Sequence, residues 1–197
     1  MIVEDGYHDV PPGKVAMIVT HLQMLEPAPV KGAALPEGLD FARVPADLSR
    51  YRDLIDRVGR DWLWFARARM DDDALSAIIS DPKVAIYSLQ RDDRDEGLLE
   101  LDFRQDGECE LAYFGLTPAL IGTGAGRYLM DQAITLAWAQ DIQRFHVHTC
   151  TIDSPQALGF YVRSGFVPYR QQVEVDDDPR LTGLLPEHLA PHVPIIR

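Results

Sequence analysis

Three glycines at alternate positions separate an apolar run from a helix-like stretch in the segment GLTPALIGTGAGRYLM, residues 115–130. Glycine costs backbone entropy in a strand or a helix, so three together indicate that some group approaches the main chain closely. The first amides of a helix have no intrahelical partner and lie at the positive end of the helix dipole, which suits a phosphate. The segment is therefore a candidate pyrophosphate site. Glycines that only pack a helix against a sheet are the alternative interpretation.

The segment does not match two well-known nucleotide-binding signatures. A P-loop would need Lys and then Ser or Thr after the last glycine, whereas Gly126 precedes Arg127 and Tyr128. A dinucleotide fingerprint would need a glycine at position 127. A phosphate ligand of another class is expected.

The sequence HVHTC places His146, His148 and Cys150 on one face of a strand, which raises the question of a metal. Three ligands at alternate strand positions fit one tetrahedral ion poorly without help from another element. We expect no metal here. The histidines are interpreted as satisfied interior side chains or as residues that line a substrate site.

The apolar pattern predicts the elements that position these residues. A long, partly β-branched run predicts a strand at 15–25, and a loop rich in Pro and Gly follows at 27–38. An apolar stripe at helical spacing from Leu48 ends at Gly59, and residues 61–80 are predicted to be further helix. The elements predicted after this point are strands 84–90, 97–105 and 108–116, helix 127–140, strand 144–151, a helix capped by Ser154 that begins at Pro155, and strand 166–175.

The order of these elements predicts an α/β fold. Asp106-Gly107 is a strong signal for a tight hairpin between two strands of the meander. The helix at 127–140 joins two strands that are expected to be parallel, in a right-handed crossover. The predicted sheet is mixed, mostly antiparallel and flanked by helices.

Composition predicts a soluble, cytoplasmic globular protein. The 197 residues are 46% apolar and 25% charged, which suits a single domain. The sequence holds no apolar run of about 18 residues, no secretory signal pattern and only two cysteines, so neither a membrane span nor a disulfide framework is expected. The net charge of −12 disfavours nucleic acid and anionic membranes and mildly favours a cationic amine substrate, although it would also serve solubility alone.

Two segments resemble motifs of the GNAT superfamily of N-acetyltransferases. FGLTPALIGTGAGRYLM, residues 114–130, is similar to its acyl-CoA-binding motif, and DSPQALGFYVRSGF, residues 153–166, is similar to its second motif. The resemblance is specific over 97–175 and says little about 27–80 or the C-terminal segment. Residues 1–197 are expected to form one domain with a Pro-rich C-terminal segment, 176–197. It implies an enzyme that transfers an acetyl group from acetyl-CoA, without a metal, to a primary amine by direct attack in a ternary complex.

The resemblance also implies which residues contact acetyl-CoA. Main-chain groups of Phe114 to Leu116 would bind the pantetheine arm and the thioester carbonyl, with a bulge at Gly115 where two parallel strands splay apart. The pyrophosphate would be bound by the backbone of Gly122, Thr123, Gly124, Ala125, Gly126 and Arg127. The remaining implied cofactor contacts are Ser154 and Tyr161.

Two positions depart from the family pattern. Ile121 stands where the family usually has Gln or Arg, and Ser154 stands where it usually has Asn. Because the loop binds mainly through its backbone, these changes are expected to weaken cofactor binding rather than abolish it.

The resemblance implies two catalytic residues. Tyr161 matches the tyrosine whose hydroxyl approaches the thioester sulfur, which implies a general acid. Glu110 matches a catalytic glutamate of histone-type members, and simple alternation predicts that it shares a strand face with Phe114. A solvated glutamate close to a turn is an equally open interpretation of Glu110. Glu100, Asp102 or a chain of waters are alternative bases.

The acceptor side is implied by position within the family. Trp62 and Trp64 fall in the region that forms the acceptor wall, and His148 lies on the strand that borders the acceptor pocket, so these three are the expected substrate-binding residues. Core packing is the alternative for the tryptophans. The expected acceptor is a small cationic amine or, second, a peptide amine.

Two further interpretations remain open. An exposed last strand and the apolar C-terminal segment could support a homodimer. The alternative function, motivated by Ile121 and the unsettled base, is a catalytically weak or inactive acyl-CoA sensor or partner-binding module.

Overall fold

The computed structural model describes residues 4–197, in which a seven-stranded sheet is flanked by four α-helices. The predicted α/β class with a mixed, mostly antiparallel sheet is confirmed. The elements are, in chain order, β1 Lys14–Met24, β2 Asp40–Arg43, α1 Leu48–Gly59, α2 Asp72–Ile79, β3 Val84–Arg91, β4 Arg94–Asp102, β5 Glu108–Leu116, α3 Ala125–Trp138, β6 Arg144–Cys150, α4 Ala157–Arg163 and β7 Val167–Asp177. Within residues 4–197, none of the helices is both long and apolar enough to cross a bilayer.

The sheet has the strand order β2-β3-β4-β5-β6-β1-β7. Neighbouring strands are antiparallel except β5 and β6, which are parallel and joined by α3, as the predicted crossover requires. Their pairing covers only residues 108–110 and 144–146. Beyond it the two strands separate, and the gap between 112–116 of β5 and 147–150 of β6 is called the fork below.

Helices cover the two faces of the sheet at different places. On the α3 face, α3 and α4 bury apolar side chains of the central strands, among them Leu99 and Phe145. On the α1 face, α1 and α2 pack on β3, β4 and the end of β5 around Leu54 and Leu98. Helix α1 forms there because its apolar side chains recur at helical spacing and Asp47 caps its first turn by accepting from the Arg50 amide at 2.8 Å.

The C-terminal segment folds back onto its own chain. Leu185 and Leu189 pack against the α1 face of β1. Buried Arg180 pairs with buried Asp178 at 2.7 Å, and its guanidinium also donates to three main-chain carbonyls of the segment. Paired and fully bonded charges of this kind can be buried without orphaned donors. The segment thereby flanks the open part of the α1 face.

The predicted helix over 61–80 is only partly correct. A short 3₁₀ turn at Arg60–Trp62 precedes Leu63, which is left-handed with φ 52°, and α-helix resumes only at Asp72. The intervening chain is held by tertiary contacts, since Arg67 lies 2.6 Å from the fully buried Glu100 of β4, which also accepts from the Tyr51 hydroxyl. This ion pair, rather than local helix propensity, decides the course of the segment.

Several boundaries also differ from prediction. Asp92 and Asp93 have positive φ and form a two-residue turn, so residues 91–96, which fall between two predicted strands, belong to the β3–β4 hairpin. Helix α4 begins at Ala157 rather than Pro155, and Ser154 is not its N-cap. Neither strand β2 nor the position of β1 between β6 and β7 was predicted.

The buried Glu100–Arg67 pair generates a stability prediction. Replacing Glu100 by Gln keeps the shape but leaves the Arg67 guanidinium buried without a counter-charge. Breaking a buried pair from one side costs about 3–5 kcal/mol, so the free energy of unfolding in urea is expected to fall by about that amount. Glu187→Gln, which removes an exposed partner of Arg197, is the matched control and is expected to change it by less than about 1 kcal/mol. Equal effects of the two substitutions would contradict the role given to Glu100.

Candidate active site

The glycine turn, residues 121–126, leads from the end of β5 into the 14-residue helix α3. Gly122 and Gly124 have φ of 82° and 90°, a left-handed conformation that side-chain-bearing residues rarely adopt. A Cβ at either position would meet nothing within 4 Å, so open space lies above the turn. The Thr123 hydroxyl donates to the Leu120 carbonyl at 2.8 Å and fixes the loop from within.

The main-chain donors of this turn are available to a ligand. Within residues 4–197, the amides of Gly122, Gly124 and Gly126 have no hydrogen-bond acceptor. They lie at the N-terminus of α3, where the helix dipole favours an anion. Ile121, at the start of the turn, is 57% exposed. The open amides suit phosphate oxygens, and the pyrophosphate contacts stay a prediction.

Cationic side chains lie beside the glycine turn, although the chain as a whole carries a net charge of −12. Lys31, Arg127 and Arg163 line a small cavity of about 50 Å³ between α3, α4 and the segment before β2. Buried Asp131 of α3 anchors that segment by accepting from the amides of Lys31 and Ala33 at 3.3 and 2.9 Å. These charges favour an anionic ligand.

The β-bulge that opens the fork lies at Ala112, not at Gly115 as predicted. Glu100 pairs with Tyr113 and Leu101 with Leu111, which leaves Ala112 as the extra residue of β5. The bulge reverses the alternation of side chains. Tyr113 therefore shares the α1 face with Glu110, while Phe114 turns to the α3 face, and the predicted common face of Glu110 and Phe114 is wrong.

Trp64 spans the fork on the α1 face. Its indole packs over Gly115, where a Cβ would lie 3.0 Å from Trp64 and 2.5 Å from Val58. Its Nε1 donates to Oδ1 of Asp153 at 2.9 Å, just beyond the end of β6. The other carboxylate oxygen of Asp153 accepts from the Thr149 hydroxyl at 2.7 Å. Trp64 and Asp153 thus connect the two separated strands.

Tyr161 lies on the α3 face of the fork, within a cluster of aromatic rings. It is 7% exposed, and its ring centroid is 6.2 Å from Phe114, 5.9 Å from Phe160 and 6.0 Å from Phe166. Burial raises the pKa of Tyr161. The hydroxyl is therefore protonated at neutral pH and can act as a proton donor.

Glu110 and His148 meet on the α1 face, where the fork begins. Oε1 of Glu110 lies 3.3 Å from Nδ1 of His148, and the side chains are 35% and 50% exposed. This contact lowers the pKa of Glu110 and raises the pKa of His148, because each charge stabilises the other. The predicted base and one predicted substrate residue are thus neighbours.

The alternative bases are engaged elsewhere. Glu100 pairs with Arg67, and Asp102 pairs with Arg104 at 2.5 Å.

Trp62, which was predicted to line the acceptor site, contacts the C-terminal segment. Its ring centroid lies 5.9 Å from that of His192. Within residues 4–197, no group of three His, Cys, Asp or Glu side chains is placed to hold a metal ion.

Three contributors to this region were not found from the sequence. They are Arg67 in a segment predicted to be helix, Lys31 in a predicted loop, and Asp153 at the start of a motif. Asp153 is the first residue of the second GNAT-like motif, and this position was the one sequence signal that pointed to any of the three. The contacts of Arg67 and Lys31 depend on tertiary packing, which periodicity does not report.

Comparisons with known proteins fit this arrangement. A sequence model of the acetyltransferase (GNAT) family matches residues 51–166. Among solved structures, a GCN5-related N-acetyltransferase from Sphaerobacter thermophilus has a TM-score of 0.60 at 15% identity, over 85% of this chain and 53% of that one. A conserved protein of unknown function from Staphylococcus epidermidis has a TM-score of 0.57 at 14% identity, over 84% and 64%.

A third structure is an aminoglycoside acetyltransferase from an uncultured soil metagenomic sample, with a TM-score of 0.53 at 14% identity, over 64% of this chain and 87% of that one. At such identities these likenesses show the fold alone. The chain spans less than two thirds of the length of the Sphaerobacter and Staphylococcus proteins. No curated protein is similar enough in sequence to match it.

The family match covers more than half of the chain and ends with α4, so it includes the fork, the glycine turn and the aromatic cluster around Tyr161. The chain belongs to the acetyltransferase (GNAT) family.

Proposed function

We propose that the protein transfers an acetyl group from acetyl-CoA to a primary amine by direct attack in a ternary complex. The observation that carries this proposal is the continuity between the glycine turn and the fork. Unpaired amides at the N-terminus of α3 can bind the pyrophosphate, and the free edge of β5 can bind the pantetheine arm as an added strand would. The thioester then lies inside the fork.

The two faces of the fork supply the two proton transfers that acetyl transfer needs. The amine must lose a proton before it attacks the carbonyl, and the departing thiolate must gain one. Tyr161, buried and protonated on the α3 face, would protonate the sulfur. Glu110 and His148 lie on the α1 face, from which the amine would approach. Holding both reactants in line supplies much of the remaining rate enhancement.

The acceptor is proposed to be a small cationic amine, with a peptide amine as the second class. Carboxylates of Glu110, Asp153 and Glu174 all raise the pKa of His148, which indicates a negative potential at this side of the fork. Trp64 adds an aromatic wall that suits a cation. Since one protein of the same fold is an aminoglycoside acetyltransferase, polycationic amines are a sensible first set of compounds to screen.

The oligomeric state stays a prediction. Strand β7 is exposed at one edge of the sheet and would be the interface of the predicted homodimer. The C-terminal segment packs on its own chain, which leaves the strand edge as the surface to test.

Gly124→Asp tests the cofactor assignment. A carboxylate at this position places a negative charge and bulk beside the pyrophosphate, and like charges about 4 Å apart repel by about 1–4 kcal/mol. The affinity for acetyl-CoA, measured by calorimetry, is expected to fall by roughly tenfold or more. Gly38→Asp is the matched control, because Gly38 also has a positive φ of 74° and open space around it. Unchanged affinity in Gly124→Asp would refute the phosphate site.

Tyr161→Phe tests the acid. The phenylalanine keeps the aromatic packing but cannot protonate the thiolate, so kcat is expected to fall by about 10²- to 10⁴-fold while acetyl-CoA affinity changes little. Tyr87→Phe, on a ring that stacks against Phe41 in β2, is the control for loss of a hydroxyl alone. Full activity of the Tyr161 variant would remove its catalytic role.

An acyl-CoA sensor is the alternative function, and exposed Ile121 is the observation that favours it. The side chain that the family usually places there can form hydrogen bonds, whereas isoleucine cannot. A sensor would bind acetyl-CoA stoichiometrically without turnover on a broad panel of amines. The sensor function would be excluded if the protein acetylated any amine and Tyr161→Phe abolished that turnover.

A further inference from the structure

Glu110 and His148 occupy corresponding places on the two strands that bound the fork. Glu110 is the last residue of β5 that pairs with β6, and it pairs with His146. His148 is the next residue of β6 on the same face. A carboxylate and an imidazole therefore lie side by side where an amine would enter, with 3.3 Å between Oε1 and Nδ1.

We propose that these two side chains form a proton relay, in which Nε2 of His148 accepts the amine proton and the Glu110 carboxylate positions the imidazole through Nδ1. The relay rests on the proposed acetyl transfer. His148 is then the catalytic base, and Glu110 acts through it as a positioning residue.

The contact with Glu110 determines which nitrogen of His148 is available. With Nδ1 facing the carboxylate, Nε2 is the nitrogen left to meet a substrate. The imidazole is also the more exposed of the two groups, at 50% against 35%. A carboxylate behind an imidazole fixes its tautomer and stabilises the imidazolium that forms when it takes a proton. Glu110 has the place and the charge for this role.

The charged surroundings of His148 suit a base that works near neutral pH. Glu110 on β5, Asp153 after β6 and Glu174 on β7 raise its pKa, and partial burial opposes them. Two neighbouring imidazoles, His146 on β6 and His21 on β1, have their pKa values lowered, chiefly by burial. They add little positive charge next to His148, whereas Arg170 on β7 pairs with His21. The net effect raises the pKa of His148 above its ordinary value of 6.5.

In the proposed relay, each bond that forms or breaks and each proton that moves is accounted for. An N–H proton of the substrate ammonium passes to Nε2 of neutral His148, and the freed lone pair forms the C–N bond at the thioester carbon. The tetrahedral intermediate loses its second N–H proton to solvent as the C–S bond breaks. Its electron pair goes to sulfur, which takes a proton from Tyr161, and solvent reprotonates the tyrosine. His148 then releases its proton, so each turnover yields the acetamide, CoA thiol and one proton.

A double-mutant cycle tests the relay in the full-length protein, with kcat measured at saturating acetyl-CoA and an amine that the unaltered protein acetylates. His148→Gln is expected to lower kcat by about 10²-fold or more. Glu110→Gln should lower it too, and the double variant should be no slower than His148→Gln alone, because the carboxylate acts only through the ring. His8→Gln, at an exposed histidine that lies before β1, is the control and should retain its rate.

Two further measurements separate a relay from a structural role. Added imidazole should restore activity to His148→Ala but not to Tyr161→Phe. The acidic limb of the kcat profile should lie above pH 6.5 and move to lower pH in Glu110→Gln, since removing the carboxylate removes the main cause of the raised pKa of His148. NMR titration of the His148 ring should show the same downward shift without any substrate.

Specific results would overturn the relay. An acidic limb below pH 4.5, with full activity in His148→Gln, would make Glu110 the direct base, because the pKa of Glu110 is lowered from 4.5. Effects that multiply in the double variant, or an imidazole ring whose titration ignores Glu110→Gln, would also overturn it. Absence of turnover by the unaltered protein on every amine would instead refute the proposed function and the relay together.

Discussion

The separation of β5 from β6 after only three paired residues is the constraint on which the candidate site depends. Parallel strands that separate leave main-chain groups unpaired, so other contacts must hold the strands apart. The Ala112 bulge turns β5 away, and Gly115 has no side chain, which lets the Trp64 indole lie against the backbone. Trp64 then reaches Asp153 on the far side. The gap is thus held open from the α1 face and leaves strand-edge groups free for a ligand.

The same region shows why a buried ion pair lies beside the site. The chain between α1 and α2 forms only a short 3₁₀ turn and isolated turns, yet it carries Trp64. Arg67 binds fully buried Glu100 and lies over the Tyr113 ring at 5.2 Å, which ties this irregular segment to the sheet. Such a pair adds little net stability relative to apolar packing, but it permits few alternative positions. We infer that the Arg67–Glu100 pair fixes the position of the segment that carries Trp64 more than it stabilises the fold.

Local patterns predicted most of the elements, and non-local contacts account for most of the errors. The hairpins, the crossover helix and the glycine turn follow from alternation, turn residues and helix caps, which are properties of neighbouring residues. The place of β1 between β6 and β7 depends on pairing across more than a hundred residues, which no local pattern reports. The Ala112 bulge adds one residue to β5, so Phe114 lies on the opposite face of the sheet from the one predicted. Phe114 is thereby separated from Glu110, whereas β6 has no bulge and His148 stays beside Glu110.

The two proposed proton-transfer groups therefore differ in how the sequence encodes them. Tyr161 lies in a helix whose motif can be read directly, and its burial keeps the phenol protonated whatever the acceptor is. The group on the α1 face depends on the register of two strands and on a bulge, so a single residue name describes it incompletely. Glu110 alone is a partly exposed carboxylate and hence a weak base, and its contact with His148 lowers its pKa further. Only the pairing of the two strands at the start of the fork brings to this carboxylate the imidazole of the proposed relay.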